Sequence, residues 1–304
     1  MRKILKFVFI FVLFFSSTLL VNAATYYVTG TGVRVRSTPE NNDNNIIGKL
    51  NYGDIIDVIE LDHSWYKIKY NDGYGYITYR YVSVLENSYV TNTIALLKEK
   101  ANLKKSYSSS SSNLTTMPKG AVVKVLKERN DWAFVQYNEK LGFIQVNKLQ
   151  KYTKSSEKVV GAWTINYSLN NSSRKKNIAK SMSKLNNVVI KPNEKFSFIK
   201  TVGKSGYLKA PEFKKSKKVL GGGLSEVSTS LYLTLRDAQR NTCNINITEQ
   251  NRYGTKTPYA KLGEEAMIDL KRNKDLVFVN KSGKTIKIYS NVNDNNVSFV
   301  VSMY

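Results

Sequence analysis

"WYKIKYNDGYGYITYRYV", residues 65–82, decides how the first half of this chain is read. Side chains alternate through its first six positions, so Trp65, Lys67 and Lys69 face one way and Tyr66, Ile68 and Tyr70 the other. Asn71, Asp72 and Gly73 then supply a turn before the next short run. The stretch reads as part of a small antiparallel β unit.

Working outward, the same pattern returns 67 residues later as "WAFVQYNEKLGFIQVNKL", residues 132–149. Gly53 aligns with Gly120, Trp65 with Trp132, Tyr70 with Tyr137 and Gly75 with Gly142, and "KLNYGDIIDVIE" parallels "TMPKGAVVKVLK". Two copies of about 60 residues imply two small β-barrels in tandem; a solenoid would need at least three units.

Upstream, Arg2, Lys3 and Lys6 precede an apolar run from Phe7 to Val21 and the small-residue site Val21-Asn22-Ala23. That is the layout of a secretory signal peptide, so residues 1–23 are set aside from the fold. An uncleaved anchor helix is the alternative, but the apolar core is shorter than the roughly 20 residues a span needs. Export with cleavage near Ala23 is expected, leaving no transmembrane span. No cysteine sits at the cleavage site to carry a lipid anchor.

Cys243 is the single cysteine and His63 the single histidine. The chain is therefore neither a disulfide scaffold nor a cysteine-ligated metal protein, and most zinc and imidazole-dependent arrangements are excluded. No metal and no cofactor are expected. The net charge is +24 and unevenly spread: residues 157–304 hold 26 basic and 11 acidic side chains, whereas residues 24–86 hold 6 and 8. For an exported protein the matching anions are wall polymers, muropeptide carboxylates or lipid headgroups rather than nucleic acid. A compositional bias toward Lys and Asn explains the charge equally well.

After Lys154 the periodicity changes. Ile178, Met182 and Leu185 fall on one helical face, with Ser172 or Ser173 as the candidate cap. Val227, Leu231, Leu235 and Ala238 form a second such face. The tail reads as strands: "NINITE", "AMIDL", "DLVFVN", "KTIKIYS" and "NVSFVVSM". Helices followed by strands indicate an α+β domain.

Between the two helices lies "GGGLSEVSTSLY", residues 221–232. Glycines before a helix permit positive φ and close backbone approach, and the helix start offers free N–H groups that can hold a carboxylate. Ser225 sits where a thiol would be activated by the helix end, but a serine hydroxyl needs an adjacent base. Residues 157–304 contain no histidine and Ser225 begins no S-x-x-K spacing. Ser225 also suits a helix N-cap, and Glu226 suits the dipole of the first turn. Ser228 and Thr229 are open to either a pocket or a packing role.

These motifs resemble known families. "VRVRSTPE…IIGKLNYGDIIDVIE…WYKIKYNDGYGYITYRYV" is similar to bacterial SH3-type domains, while the second copy is degenerate, with "ANLKKSYS" and a serine-rich loop in place of the R-S-x-P opening. The resemblance implies wall targeting by peptidoglycan binding, a packed spacer being the alternative, above all for the second copy. From about Val159 to Ser302 the chain resembles the VanW family through "RKKNIAKSMSKLNNVVIKPNEKFSF", "TVGKSGYLKA", "GGGLSEVSTSLY" and "DLVFVNKSGKTIKI". That resemblance implies action on the cell wall, in some members as L,D-transpeptidases using a cysteine of the glycine motif. Here that position is Ser225, the next glutamine is Glu226, and the histidines of the family's E-R-H-P-H-S stretch become Asn251 and Tyr253.

The expected architecture is multidomain: a signal peptide (1–23), an SH3-like barrel (24–86), a second, degenerate one (87–153), and an α+β VanW-like domain (157–304). The expected role is an exported wall protein that binds peptidoglycan, with a catalytically degenerate C-terminal domain recognising stem peptides. Gly221, Gly222, Gly223, Ser228, Thr229, Asn251 and Tyr253 are the candidate ligand contacts. Two alternatives stand beside it. One is an active crosslinking acyltransferase with Ser225 as nucleophile and a lysine or Glu249 as base. The other is an electrostatic adhesin working through the basic C-terminal region on anionic wall polymers.

Overall fold

The hairpin expected at residues 65–82 forms, and it forms twice. In the computed structural model, which describes residues 25–62, 64–85, 90–167, 171–212 and 215–304, Trp65 pairs with Thr78 and Ile68 with Gly75. Trp132 pairs with Gln145 and Val135 with Gly142, the same register moved by 67 positions. The bulge repeats as well, between Val58 and Glu60 in one copy and Val125 and Lys127 in the other. The signal-peptide segment and His63 lie outside the described residues.

The first copy contains β1 (Thr25–Val28), β2 (Val33–Arg36), β3 (Ile46–Leu50), β4 (Ile55–Ile56), β5 (Val58–Asp62), β6 (Trp65–Tyr70), β7 (Gly73–Thr78) and β8 (Val82–Leu85). They form a five-stranded sheet β3-β2-β7-β6-β5 and a three-stranded sheet β4-β1-β8. Val28, Val35, Ile56, Ile68 and Ile77 fill its core. The second copy contains β9 (Thr93–Leu97), β10 (Ala101–Lys104), β11 (Asn113–Met117), β12 (Val122–Arg129), β13 (Trp132–Tyr137), β14 (Lys140–Gln145) and β15 (Leu149–Thr153). These make one seven-stranded sheet, β11-β10-β14-β13-β12-β9-β15.

The C-terminal half contains β16 (Lys158–Asn166), α1 (Ser172–Leu185), β17 (Val188–Ile190), β18 (Lys195–Ser197), α2 (Phe198–Val202), β19 (Lys209–Glu212), β20 (Lys215–Leu220), α3 (Leu224–Arg240), β21 (Ile245–Gln250), β22 (Leu276–Asn280), β23 (Ile286–Val292) and β24 (Asn296–Met303). The expected helical faces are buried: Ile178, Met182 and Leu185 on α1, and Val227, Leu231, Leu235 and Ala238 on α3. Helix α3 packs on the sheet β16-β24-β23-β17. Two expectations change. Helix α1 is capped by Asn171, whose side chain accepts from Arg174 N–H, so neither Ser172 nor Ser173 is the cap. "AMIDL" is not a strand; apart from a bridge between Asp269 and Lys274 its backbone bonds elsewhere. Among the described residues no helix is long and apolar enough to cross a membrane.

The three bodies join through one repeated surface. Tyr27 of the first copy stacks on Phe134 of the second, with ring centroids 6.2 Å apart. Tyr52 meets Phe143 edge-on. A Cβ at Gly53, whose φ is +86°, would overlap the Phe143 ring. Sixty-seven residues on, Ile94 packs with Val159, Ala162 and Val300 of the C-terminal half. The Lys119 carbonyl accepts from Asn293 and Asn296, and a Cβ at Gly120 (φ +75°) would overlap Asn293. Behind this second joint Lys124, fully buried, pairs with Asp237 of α3 at 2.9 Å. Asp237 also accepts from Gln136 and from Ala162 N–H, so the carboxylate is well satisfied.

Candidate functional site

The start of α3 is built from the glycine turn outward. Its N-cap is Gly223, held at φ 109°. A Cβ there would lie 2.9 Å from the Ile178 side chain and 3.1 Å from that of Arg174, so only glycine lets α1 approach this closely. The cap expected at Ser225 is thereby corrected. Ser225 is two residues beyond the cap and already helical, so its hydroxyl is released for another use.

Helix α1 fastens the turn. Asn177 Nδ2 donates to the carbonyls of Leu208 (2.9 Å) and Gly222 (3.0 Å), while its Oδ1 accepts from Leu208 N–H. Arg174 donates to the Pro211 carbonyl and forms a buried ion pair with Glu226. Glu226 thus neutralises an α1 cation in the interior, more than the helix dipole alone would ask of it. Gly221, Gly222 and Gly223 are all buried, and Gly222 lies against the backbone of Ala210.

The side chains at 225, 228 and 229 share one face of α3, as i, i+3 and i+4 must. Each engages the segment 266–268. Ser225 Oγ accepts from Ile268 N–H at 3.1 Å. Thr229 Oγ1 accepts from Ala266 N–H at 2.9 Å, and Ser228 Oγ donates to the Ala266 carbonyl. Hydroxyls of α3, with the Asn251 carbonyl, therefore satisfy backbone groups that a strand neighbour would otherwise take, and "AMIDL" joins no sheet. Ser228 and Thr229 are fully buried in this role.

Ser225 Oγ also accepts from Tyr253 Oη at 2.8 Å. The structure brings together two of the four positions at which the sequence departs from the resembled motifs. Its two oxygen lone pairs are both engaged, one by a phenol and one by an amide. Ser225 is 6% exposed. Tyr259 stands beside Tyr253, and burial foremost, then the Tyr253 neighbour, keeps its phenol protonated well above the usual tyrosine range. The N–H groups of Ser225 and Glu226 bond to no backbone carbonyl among the described residues, which leaves two donors at the helix start.

Glu249 and Asn251 do not reach Ser225 by hydrogen bond. Glu249 Oε1 accepts from Asn251 Nδ2 (3.0 Å) and Asp275 N–H (2.8 Å), and the Asn251 carbonyl accepts from Met267 N–H. Together they fix the loop that delivers Tyr253. Glu265, fully buried, completes it by accepting from Tyr253 N–H and Gly263 N–H. Sequence reasoning missed Arg174, Asn177, Tyr259, Glu265 and Ile268. The first two lay inside the quoted α1 motif and Ile268 inside "AMIDL", which reads as a strand; Tyr259 and Glu265 carried no pattern that separates them from ordinary loop residues. Cys243 is buried, its thiol pushed up to about 11 by burial, far from any activated state.

A second candidate lies on the first copy. A cavity of about 560 Å³ is lined by Arg34, Trp65, Tyr79, Arg80 and Tyr81 with the Gly30–Val33 turn. Tyr79 and Tyr81 are nearly half exposed. The equivalent residues of the second copy are Ala101, Trp132, Val146, Asn147 and Lys148. Only the tryptophan survives there.

Comparison with known proteins agrees with this layout. Residues 173–302 match the family described as VanW like protein, and residues 31–83 and 99–150 match the bacterial SH3 domain. Among curated proteins, "Putative N-acetylmuramoyl-L-alanine amidase YrvJ" of Bacillus subtilis is 27% identical over 38% of this chain and 24% of its own length. "Uncharacterized protein YoaR" of the same organism is 29% identical over 37% of this chain and 38% of its own length. The chain thus spans less than two-fifths of either relative. Solved structures of NlpC2 and NlpC1 from Trichomonas vaginalis align at 13% and 11% identity, covering 54% and 92% of this chain and 57% and 92% of theirs. Their TM-scores, 0.19 and 0.20, are too low to support a structural argument.

Proposed function

Because residues 173–302 belong to the VanW family and follow two bacterial SH3 domains, we propose that the chain is an exported, wall-associated protein that binds peptidoglycan and recognises stem peptides without transferring them. The export signal in residues 1–23 and a curated relative named as a putative amidase support a location at the wall. As working units the chain divides into 24–86, 87–153 and 157–304. The first unit makes the wall contact through the groove of Trp65, Tyr79 and Tyr81. The second offers no equivalent groove, since of those residues only its tryptophan is retained.

One observation carries the non-catalytic reading: Ser225 Oγ accepts two hydrogen bonds, and among the described residues no carboxylate or amine bonds to it. A serine nucleophile needs a partner that accepts its proton while its lone pair stays free to attack. Here the lone pairs are occupied, the neighbouring group is a phenol that donates, and Glu249 is engaged elsewhere. The helix-start N–H groups and the positive charge of this half suit a peptide carboxylate. The test is incubation of the full chain with a disaccharide-tetrapeptide. Binding without crosslinked dimer is expected. Turnover by the unmodified protein, abolished by Ser225→Ala with the fold intact, would establish Ser225 as a nucleophile. A Ser225→Cys/Tyr253→His variant restores both resembled partners in contact and is the arm in which activity can appear.

A further inference from the structure

The second joint is closed at its centre and splayed at one edge. Ile94 and Val122 meet Val159, Ala162 and Val300 in a small apolar core. Beyond it β15 and β23 diverge. Pairing puts Gln150 beside Leu96 and Tyr152 beside Ile94 on one sheet. On the other, Asn291 stands beside Ser298 and Tyr289 beside Val300. Period-two geometry therefore lines one wall with Gln150 and Tyr152 and the other with Tyr289 and Asn291. Two adjoining cavities, of about 220 Å³ and about 570 Å³, with Leu96 and Asn291 in both linings, make up the cleft between these walls.

We infer that this cleft binds an N-acylated aminosugar chain. The smaller cavity has an aliphatic floor of Ile94, Val122 and Val300, suited to an acyl methyl group. Tyr152, 41% exposed, offers an aromatic surface to a sugar ring. Of the carboxamides that wall the larger cavity, Asn291, Asn293 and Asn296 already donate within the joint, which leaves Gln150 and Asn295 to offer a donor and an acceptor each to hydroxyl and acetamido groups. Gln150 and Asn295 keep their side-chain amides out of any hydrogen bond within the described residues. The lining carries the ammonium groups of Lys98, Lys119 and Lys154 against the single carboxylate of Asp294, so an anionic polymer is the rival occupant, and salt sensitivity separates it from an uncharged sugar chain. Open at its sides, the cleft admits a linear polymer.

This site is separate from Ser225, and a probe without peptide keeps its failure distinguishable from that of the stem-peptide reading. The probe is a β-1,4-linked tetramer of N-acetylglucosamine, titrated into the full chain carrying Tyr79→Ala so that the groove of the first unit does not contribute. Saturable binding is expected, weakened about tenfold or more by Tyr152→Ala or Gln150→Ala, a change of about 1.4 kcal/mol. Both residues are exposed, so both variants should melt like the parent. The de-N-acetylated tetramer should bind at least tenfold more weakly. Absence of saturable binding, equal affinity for the de-N-acetylated tetramer, or indifference to both substitutions would overturn the proposal. So would preferential, salt-sensitive binding of a glycerol phosphate polymer.

Discussion

At Ser225 the same hydroxyl can be read as a cap, a nucleophile or a bridge, and each reading responds differently to substitution of its partner. As a bridge, Ser225 loses half its role when Tyr253 becomes Phe. That variant should unfold about 1 kcal/mol more easily, a change seen in chemical denaturation, whereas a capping serine would leave Tyr253→Phe neutral. Ser225→Ala should cost more, about 1–3 kcal/mol, because it removes at once the acceptor of the part-buried Ile268 N–H and that of the Tyr253 hydroxyl. The sequence placed Tyr253 in the right motif frame but not in contact with Ser225. Twenty-eight residues separate them, and the bonds of Glu249, Asn251 and Glu265 that shape the loop bring them together. The cap lies elsewhere for a local reason: Gly223 takes the left-handed dihedrals two residues earlier than a serine-based rule anticipates.

Helix α1 and the segment 266–268 were legible to different degrees, and the difference is physical. The apolar stripe of α1 follows from spacing, so its existence and buried face were readable, while its first residue depended on which of Asn171, Ser172 and Ser173 turned inward. Asn171→Ala should therefore destabilise by about 0.5–2 kcal/mol and Ser172→Ala by only a few tenths, measured as paired melting curves. Segment 266–268 has strand-like composition, yet its hydrogen bonds go to hydroxyls of α3, a long-range arrangement that no local alternation encodes. The repeat was the most readable element because register, bulge and turn recur together at a fixed offset.

Across the whole molecule, the buried Lys124–Asp237 pair joins residues 113 positions apart and was invisible in the sequence. Burial, outweighing the attraction of Asp237, lowers the Lys124 pKa from its usual value near 10.5. Below that lowered pKa both states hold the proton and the full desolvation penalty is present. As pH rises through it toward 10.5 the unfolded chain binds more protons than the folded one, so stability gains from this group. Lys124→Met should destabilise at neutral pH by about 3 kcal/mol, since an uncompensated buried carboxylate remains. The melting-temperature gap between parent and variant should widen across the alkaline window. The two joints reuse one surface of the repeat, which makes each contact heterologous and, in principle, extendable without limit. The receiving face that carries Phe134 and Phe143 in the second copy carries Lys67 and Tyr76 in the first, so a further copy would have to desolvate an ammonium to add on. At the other end the C-terminal half occupies the surface a third copy would take. A contact capable of growing a filament thus meets a charge at one end and a plug at the other.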